Sequence, residues 1–309
     1  MNVTHTFSAN PLDRGDNERR DPSWLVNSQS DSNSRFLPFW QLNVLVQGGS
    51  ELLLGWLNPN RLDAATFESP PVFLGLSDDI AHFAIDVSEL ANPIQALGLD
   101  DSWRFEDARM AAMVLPGDQS GILAQSRSQI DWHKRHRFCG ACGTATTQTR
   151  GGHLRRCPNC KAEHFPRTDP VAIMLIVDDE RCLLGQSAGR LARTGMYSAL
   201  AGFIDQGESI EEAVRREVRE EAGITVGEVC YHSSQPWPFP SSLMIGCHGK
   251  AISTDIRIDS NEMADVRWFP RDDVLGALRQ EHPTLKVPGA IAIAHHLIKD
   301  WAFGEISWK

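Results

Sequence analysis

The segment Gly202 to Ile224, GFIDQGESIEEAVRREVREEAGI, can form little but a helix, and that helix carries three charges where a simple surface element would not put them. Ser209 with Glu212 makes a capping box, Gly223 stands where a helix ends in the left-handed region, and no Pro or Gly interrupts the stretch between. At about 100° per residue, Ile210, Ala213, Val214 and Val218 define an apolar arc. Glu217, Glu220 and Glu221 fall within or beside that arc, whereas Glu212, Arg215, Arg216 and Arg219 occupy the opposite side. Pairs four residues apart, Glu211 with Arg215 and Glu212 with Arg216, account for the outer charges. The other three glutamates stay unexplained, because carboxylates on a core-facing side repel one another and are costly to bury unless something positive meets them. A hard divalent cation with oxygen ligands resolves the conflict.

A chain of 309 residues is long for one core and is expected to hold two domains and a small module. Its net charge of −10 argues against a general nucleic-acid binder, while the local run His133 to Arg137, with Arg150, Arg155 and Arg156, leaves room for a confined basic site. No run of about 18 apolar residues occurs, and the first twenty residues lack the hydrophobic core of a signal peptide, so no membrane partner and a cytoplasmic location are expected. Seven cysteines are an odd number, and four form two CxxC pairs, Cys139 with Cys142 and Cys157 with Cys160, fourteen residues apart. That spacing is the pattern of a zinc ribbon, in which four thiolates close a tetrahedral structural site; disulfide pairing or redox activity is the competing reading. Cys182, Cys230 and Cys247 read as passengers of apolar strands.

Residues 1–35 are polar and are expected to be a flexible lead-in. Between 36 and 135, short apolar stretches separated by turn residues, followed by a helical pattern from Asp118 to Arg135, predict a small α+β domain. Residues 136–167 are the ribbon. From 168 to 309 strand patterns flank the capped helix and a final helix runs from Gly289 to Trp301. Within that last region lies Ser234-Gln-Pro-Trp-Pro-Phe-Pro-Ser-Ser242, which reads either as a polyproline ligand or as a rigid platform for flat rings.

Residues 202–224 match the Nudix hydrolase signature at every defined position: Gly202, Glu208, Arg216, Glu217, Val218, Glu220, Glu221, Gly223 and Ile224. The order of the N-terminal domain, WHKRHRFCGACG, the ribbon, the box and the SQPWPFP tract resembles the NADH pyrophosphatase subfamily across most of the chain. The resemblance implies an α/β/α sandwich with a mixed sheet for residues 168–309, Mg²⁺ or Mn²⁺ for catalysis, one structural Zn²⁺ per subunit, and a homodimer. It also implies cleavage of NADH or NAD⁺ to nicotinamide mononucleotide and AMP, a bond that some bacterial members also break in NAD-capped RNA. Carried over by position, Glu217, Glu220, Glu221 and Glu262 are the catalytic carboxylates and, with the Ala201 carbonyl, the metal ligands. Which glutamate activates water stays open. Gly202, Glu208, Arg216 and Gly223 are structural in the box, with Glu208 holding the preceding loop and Arg216 orienting the glutamates. Phe165, Phe203, Gln235, Pro236, Trp237, Pro238, Phe239, Pro240, Ser241, Ser242 and Ala294 are the substrate-binding set. Phe165 replaces a more usual Tyr, and Gly152 a more usual acid. RNA cap removal as the main role, another substrate such as ADP-ribose, and a non-catalytic nucleotide sensor are the alternatives.

Overall fold

Alternating apolar residues between Phe36 and Asp86 become a sheet in the computed structural model, which describes residues 4–62, 69–306 and 308, the side chain of Arg190 excepted. The chain divides into two units: Thr6–Thr168 with Trp237–Ser241, and Met1–His5 with Asp169–Pro236 and Ser242–Lys309.

The N-terminal unit opens with α1 (Pro22–Ser30), whose first amides, Ser23 N and Trp24 N, donate to the Asp21 carboxylate. Then follow β1 (Arg35–Trp40), β2 (Asn43–Gln47), β3 (Leu53–Leu54), β4 (Val72–Ser77), β5 (Ile80–Asp86), α2 (Pro93–Ala96), β6 (Trp103–Glu106), α3 (Ala108–Ala112) and α4 (Gly117–Arg135). Among the described residues the sheet runs β3-β2-β1-β5-β4, with β6 also on β2 and the β1–β5 pair parallel. Phe36, Leu45, Leu57, Phe73, Phe83 and Ile85 form its core with Leu25 of α1.

Residues 4–34 are not a loose lead-in; residues 1–3 of that expectation lie outside the described residues. Phe7, Leu12 and Leu25 are buried. Asp13 and Leu76 exchange two backbone hydrogen bonds of 2.9 and 2.7 Å, and the Phe7 amide donates to Ser120 Oγ at 2.9 Å. Few apolar residues in a polar run suffice when each one is buried in a core made elsewhere in the chain, which composition does not register.

The ribbon strands β7 (Thr147–Thr149), β8 (Leu154–Arg156) and β9 (Glu163–His164) form an antiparallel sheet in that order, within the same unit. Gly152 has φ +92°, and a Cβ there would lie 2.9 Å from Val72 Cγ1 and 3.1 Å from His133 Nε2. No acidic side chain fits that position, which gives the departure at Gly152 a packing reason.

In the C-terminal unit come β10 (Asp169–Asp178), β11 (Arg181–Ser187), α5 (Arg190–Thr194), β12 (Leu200–Phe203), α6 (Ile210–Ala222), β13 (Val226–Trp237), β14 (Ser242–Ala251), β15 (Met263–Pro270), α7 (Arg271–Leu278) and α8 (Ile293–Ala302). Among the described residues the strands are ordered β13-β14-β10-β11-β15, with β12 on β10 and β10 parallel to β14, so the sheet is mixed. Strand β10 is apolar on both faces because both are covered. Ile173, Leu175 and Val177 pack with Leu297, Ile298 and Trp301 of α8 and Val274 of α7. Ala172, Met174 and Ile176 pack with Val214, Val218 and Ala222 of α6. This is the expected α/β/α sandwich.

Helix α8 starts at Ile293, four residues later than its sequence pattern suggests. The Ile293 amide donates to Gln235 Oε1 at 2.8 Å, and Gln235 Nε2 donates to the Ile291 carbonyl at 2.8 Å. A side chain 58 positions away in sequence thus caps the helix, a partner no local signal announces. Among the described residues, no helix is long and apolar enough to cross a membrane.

Candidate active site

Helix α6 begins on its capping box: the Glu212 amide donates to Ser209 Oγ at 3.2 Å and the Ser209 amide to Glu212 Oε2 at 2.7 Å. It ends on Gly223, whose φ is +72°. The two outer ion pairs expected from spacing do not form. Glu212 is spent on the cap, Arg215 Nη2 donates to the Gly227 carbonyl at 2.9 Å, and Arg216 turns toward the glutamates.

Arg216 is the hub of the site. Its Nε and Nη2 donate to the two oxygens of Glu208 at 2.7 and 2.8 Å, a bidentate pair. Nη1 reaches Glu217 Oε1 at 2.8 Å and Glu220 Oε2 at 3.0 Å, and Nη2 also reaches the Phe203 carbonyl at 2.8 Å. Glu208 in turn accepts from the Asp205 amide at 2.9 Å, which ties down the loop before α6. The Arg216 guanidinium and that amide hold the Glu208 carboxyl down to about 2. A helical wheel puts Arg216 on the outer face; its length brings the guanidinium round to the inner one.

Glu217 and Glu221 are each 8% exposed, whereas the Glu220 side chain is 56% exposed. Gly202, on β12 beside Ala201 and Phe203, is where Glu217 is accommodated: a Cβ at 202 would lie 1.9 Å from the Glu217 carboxyl carbon. Burial raises the Glu217 carboxyl above its usual range despite Arg216. Glu221 is pushed further, to about 8, first by burial and then by the charges of Glu217, Glu262 and Glu220. Its Oε2 is buried with no hydrogen-bond partner. Glu262, in the turn before β15, lies on the opposite side of the box sequence but near enough in space to act on Glu217 and Glu221. An orphaned, buried carboxylate oxygen among like charges is what a divalent cation with oxygen ligands would settle, so the donor set fits Mg²⁺ or Mn²⁺.

The cysteine site is of another kind. Among the described residues, Cys139, Cys142, Cys157 and Cys160 are the one group of three or more Cys, His, Asp or Glu whose ligand atoms all lie within 4.8 Å of one another. Cys139 and Cys160 sulfurs are 3.6 Å apart and Cys142 and Cys157 sulfurs 3.5 Å, close to the roughly 3.8 Å that a tetrahedron with bonds of about 2.3 Å requires. Both separations far exceed a disulfide bond of about 2.05 Å. His164 Nε2 lies 3.3 Å from Cys139 Sγ and Asn159 Nδ2 donates to Cys142 Sγ at 3.7 Å, which supplies an outer layer of partners. Cys182 and Cys247 are buried on strands and Cys230 is half-buried; burial pushes the Cys247 thiol up to about 12.

The residues expected to bind substrate fall in different units. Phe203 (61% exposed), Gln235, Pro236, Ser242 and Ala294 belong to the C-terminal unit; Phe165 (58% exposed) and Trp237–Ser241 belong to the N-terminal one. Trp237 to Ser241 therefore do not pack as part of the 168–309 domain expected to contain them. Gln235 is fully buried and holds the start of α8, and Ala294 is buried in the core of that helix. Two residues that sequence reading missed, Arg109 and Arg127, contact Phe239. They precede it by more than a hundred positions, and no local pattern signals them.

Family models match three stretches: NUDIX domain over residues 166–287, NADH pyrophosphatase zinc ribbon domain over 134–165, and NADH pyrophosphatase-like rudimentary NUDIX domain over 33–132. The chain is 37% identical over 339 residues to NAD-capped RNA hydrolase NUDT12 of Homo sapiens, covering 96% of this chain and 72% of that one. It is 32% identical over 352 residues to the NAD-capped RNA hydrolase of Schizosaccharomyces pombe, covering 97% and 93%. It is also 40% identical over 209 residues to NAD(P)H pyrophosphatase NUDT13, mitochondrial, of Homo sapiens, covering 64% and 59%. A solved NUDIX hydrolase from Nitrosomonas europaea matches with a TM-score of 0.44 at 22% identity, over 54% of this chain and 90% of that one. With the signature intact on α6 and the ribbon intact before it, the chain belongs to the Nudix hydrolase family, in its zinc-ribbon NADH pyrophosphatase branch.

Proposed function

We propose that this protein hydrolyses the pyrophosphate bond of NADH or NAD⁺, giving reduced or oxidised nicotinamide mononucleotide and AMP, and breaks the same bond at the 5′ end of NAD-capped RNA. The observation that carries the reading is the cluster of Glu217, Glu220, Glu221 and Glu262, with one buried carboxylate oxygen unpartnered. Those four and the Ala201 carbonyl are the groups that would hold Mg²⁺ or Mn²⁺. When bound, such a cation polarises phosphoryl oxygens and lowers the pKa of water. The chain's own part is positional. Arg216 fixes the carboxylates of Glu217 and Glu220, Glu208 fixes Arg216, and Gly202 leaves room for Glu217. Glu220, the most exposed of Glu217, Glu220 and Glu221, is the one best reached by the attacking water.

The four cysteines hold a structural zinc, one per subunit, which supports the fold and takes no part in hydrolysis. Seven free cysteines suit a reducing, cytoplasmic setting, and a homodimer follows the resemblance. A role for the RNA body draws on a separate observation. Lys134 and Phe138, both exposed, border a cavity of about 570 Å³ in the N-terminal unit, a basic and aromatic rim of the type single strands use, although Asp86 and Glu89 share its wall.

The test offers NADH, NAD⁺, ADP-ribose and NAD-capped RNA in parallel, each with Mg²⁺ and with Mn²⁺, and identifies the products. Mononucleotide and AMP from NADH are expected. Turnover of ADP-ribose alone would reassign the substrate, and no turnover with any of them would leave a nucleotide sensor.

A further inference from the structure

The tract from Ser234 to Ser242 is fastened twice, by different means. Its first half is held through Gln235, fully buried and bonded at both ends of its amide to residues 291 and 293. Its second half, Trp237–Ser241, is grouped with the N-terminal unit. There the rings of Phe7, Trp237 and Phe239 meet edge-on, with centroids 5.7, 5.7 and 5.5 Å apart. Arg127 Nη1, from the middle of α4, donates to the Pro238 carbonyl, and Ser128 Oγ donates to the Pro240 carbonyl at 3.2 Å. The Arg127 guanidinium carbon is 4.5 Å from the Phe239 ring centroid, and that of Arg109, on α3, is 3.7 Å from it.

Two cations at one ring are more than packing requires. A lone aromatic side chain is seated by apolar neighbours, whereas two guanidiniums here repel each other, and burial lowers the Arg127 pKa. Arg109 Nε is itself buried without a hydrogen-bond partner. For Arg127 the charges of Asp131 and Asp107 compensate in part; the electron-rich face of Phe239 and the Pro238 carbonyl do the rest, and these two contacts fix where the ring stands. Both arginines project from helices, so the ring is held by rigid elements.

We infer that Arg109 and Arg127 are positioning residues: by gripping Phe239 and the Pro238 carbonyl they hold Trp237–Ser241 in the shape that receives a flat ring of the dinucleotide. The inference rests on the hydrolase reading above. Neither arginine is placed against the substrate.

The test uses the full-length, metal-loaded protein with NADH, and the variants Arg109→Met, Arg127→Met, Phe239→Leu and the two Arg-to-Met changes each combined with Phe239→Leu. Each single change is expected to raise KM about tenfold with kcat within about twofold, the pattern of a lost binding contact. Arg109→Met combined with Phe239→Leu is expected to be no worse than Phe239→Leu alone, because Arg109 acts through that ring, whereas Arg127→Met adds the loss of the Pro238 contact. Arg127→Lys, which keeps a cation and a donor for Pro238, is expected to recover part of the KM and guards against variants that fail to fold. KM unchanged while thermal stability falls would overturn the inference, as would effects of Arg109→Met and Phe239→Leu that add in the combined variant. A wild type that hydrolyses no dinucleotide would instead overturn the hydrolase reading, and this inference with it.

Discussion

The ribbon and the box each gather four potential metal ligands, yet they are built in opposite ways. In the ribbon the four sulfurs stand within 4.8 Å of one another, ready for a tetrahedral ion. In the box the carboxylates are not so gathered; Arg216 occupies two of them and Glu221 keeps an oxygen with no partner. A closed set of ligands suits an ion that holds a fold together, and an open one suits an ion that must still meet substrate and water. The box gives up stability for that openness, since its charges repel until a cation arrives.

The contrast breaks most sharply by removing one expected ligand from each site. Cys157→Ser is expected to release zinc and cost about 4 kcal/mol of stability, read by metal content and thermal unfolding. Glu221→Gln is expected to lower kcat by about 10³-fold while leaving the metal-free protein about 1 kcal/mol more stable, because a buried like charge is gone. A Glu221→Gln protein that loses stability as Cys157→Ser does would erase the distinction.

A smaller effect tests how the box makes room for its acids. Gly202→Ala places a methyl 1.9 Å from the Glu217 carboxyl carbon, so Glu217 or β12 must shift. A loss of about 2 kcal/mol and of roughly 10²-fold in kcat is expected, measured by denaturant unfolding and steady-state rates. Wild-type activity in this variant would show that Glu217 need not stand where it does.

The smallest effect separates the units by pH. His133 is held neutral, its pKa lowered to about 4 mainly by burial; Nε2 donates to the Gly152 carbonyl and Arg155 donates to Nδ1. His248 in the C-terminal unit is likewise lowered to about 4, chiefly by burial. For each, the unfolded chain takes up a proton below its ordinary value of 6.5 before the folded one does. Stability is therefore intact above that value and is lost as pH falls toward 4, by about 2 kcal/mol per histidine on reaching pH 5. His133→Gln is expected to flatten this loss in the N-terminal unit and leave it in the C-terminal unit, read by hydrogen exchange of each unit at pH 7 and pH 5. An unchanged profile in the N-terminal unit would show that His133 is not held neutral.

What could be read along the chain was local. Ser209, Glu212 and Gly223 bound α6 through contacts three or four residues apart, so the helix was legible, as were the paired cysteines, whose knuckles close over short loops. Apolar runs located β10, β11 and β14, and in β10 the run is continuous because both of its faces are covered. The burial of Phe7 and Leu12 and the capping of α8 by Gln235 were not legible, and the turn of Arg216 toward the glutamates followed from the resemblance and not from the helical wheel. Each depends on a partner supplied by another element.

The reaction type therefore lay in one short stretch of chain, since a helix of known pitch orders its glutamates by itself. The site's working form was decided by the tertiary fold. Arg216 chooses among Glu208, Glu217 and Glu220 by distance, Glu262 joins them from forty-one positions beyond Glu221, and Phe239 finds Arg109 and Arg127 in a different unit from Gln235. Charge and ring contacts act through space over a few ångströms, and only the folded chain sets which groups come that close.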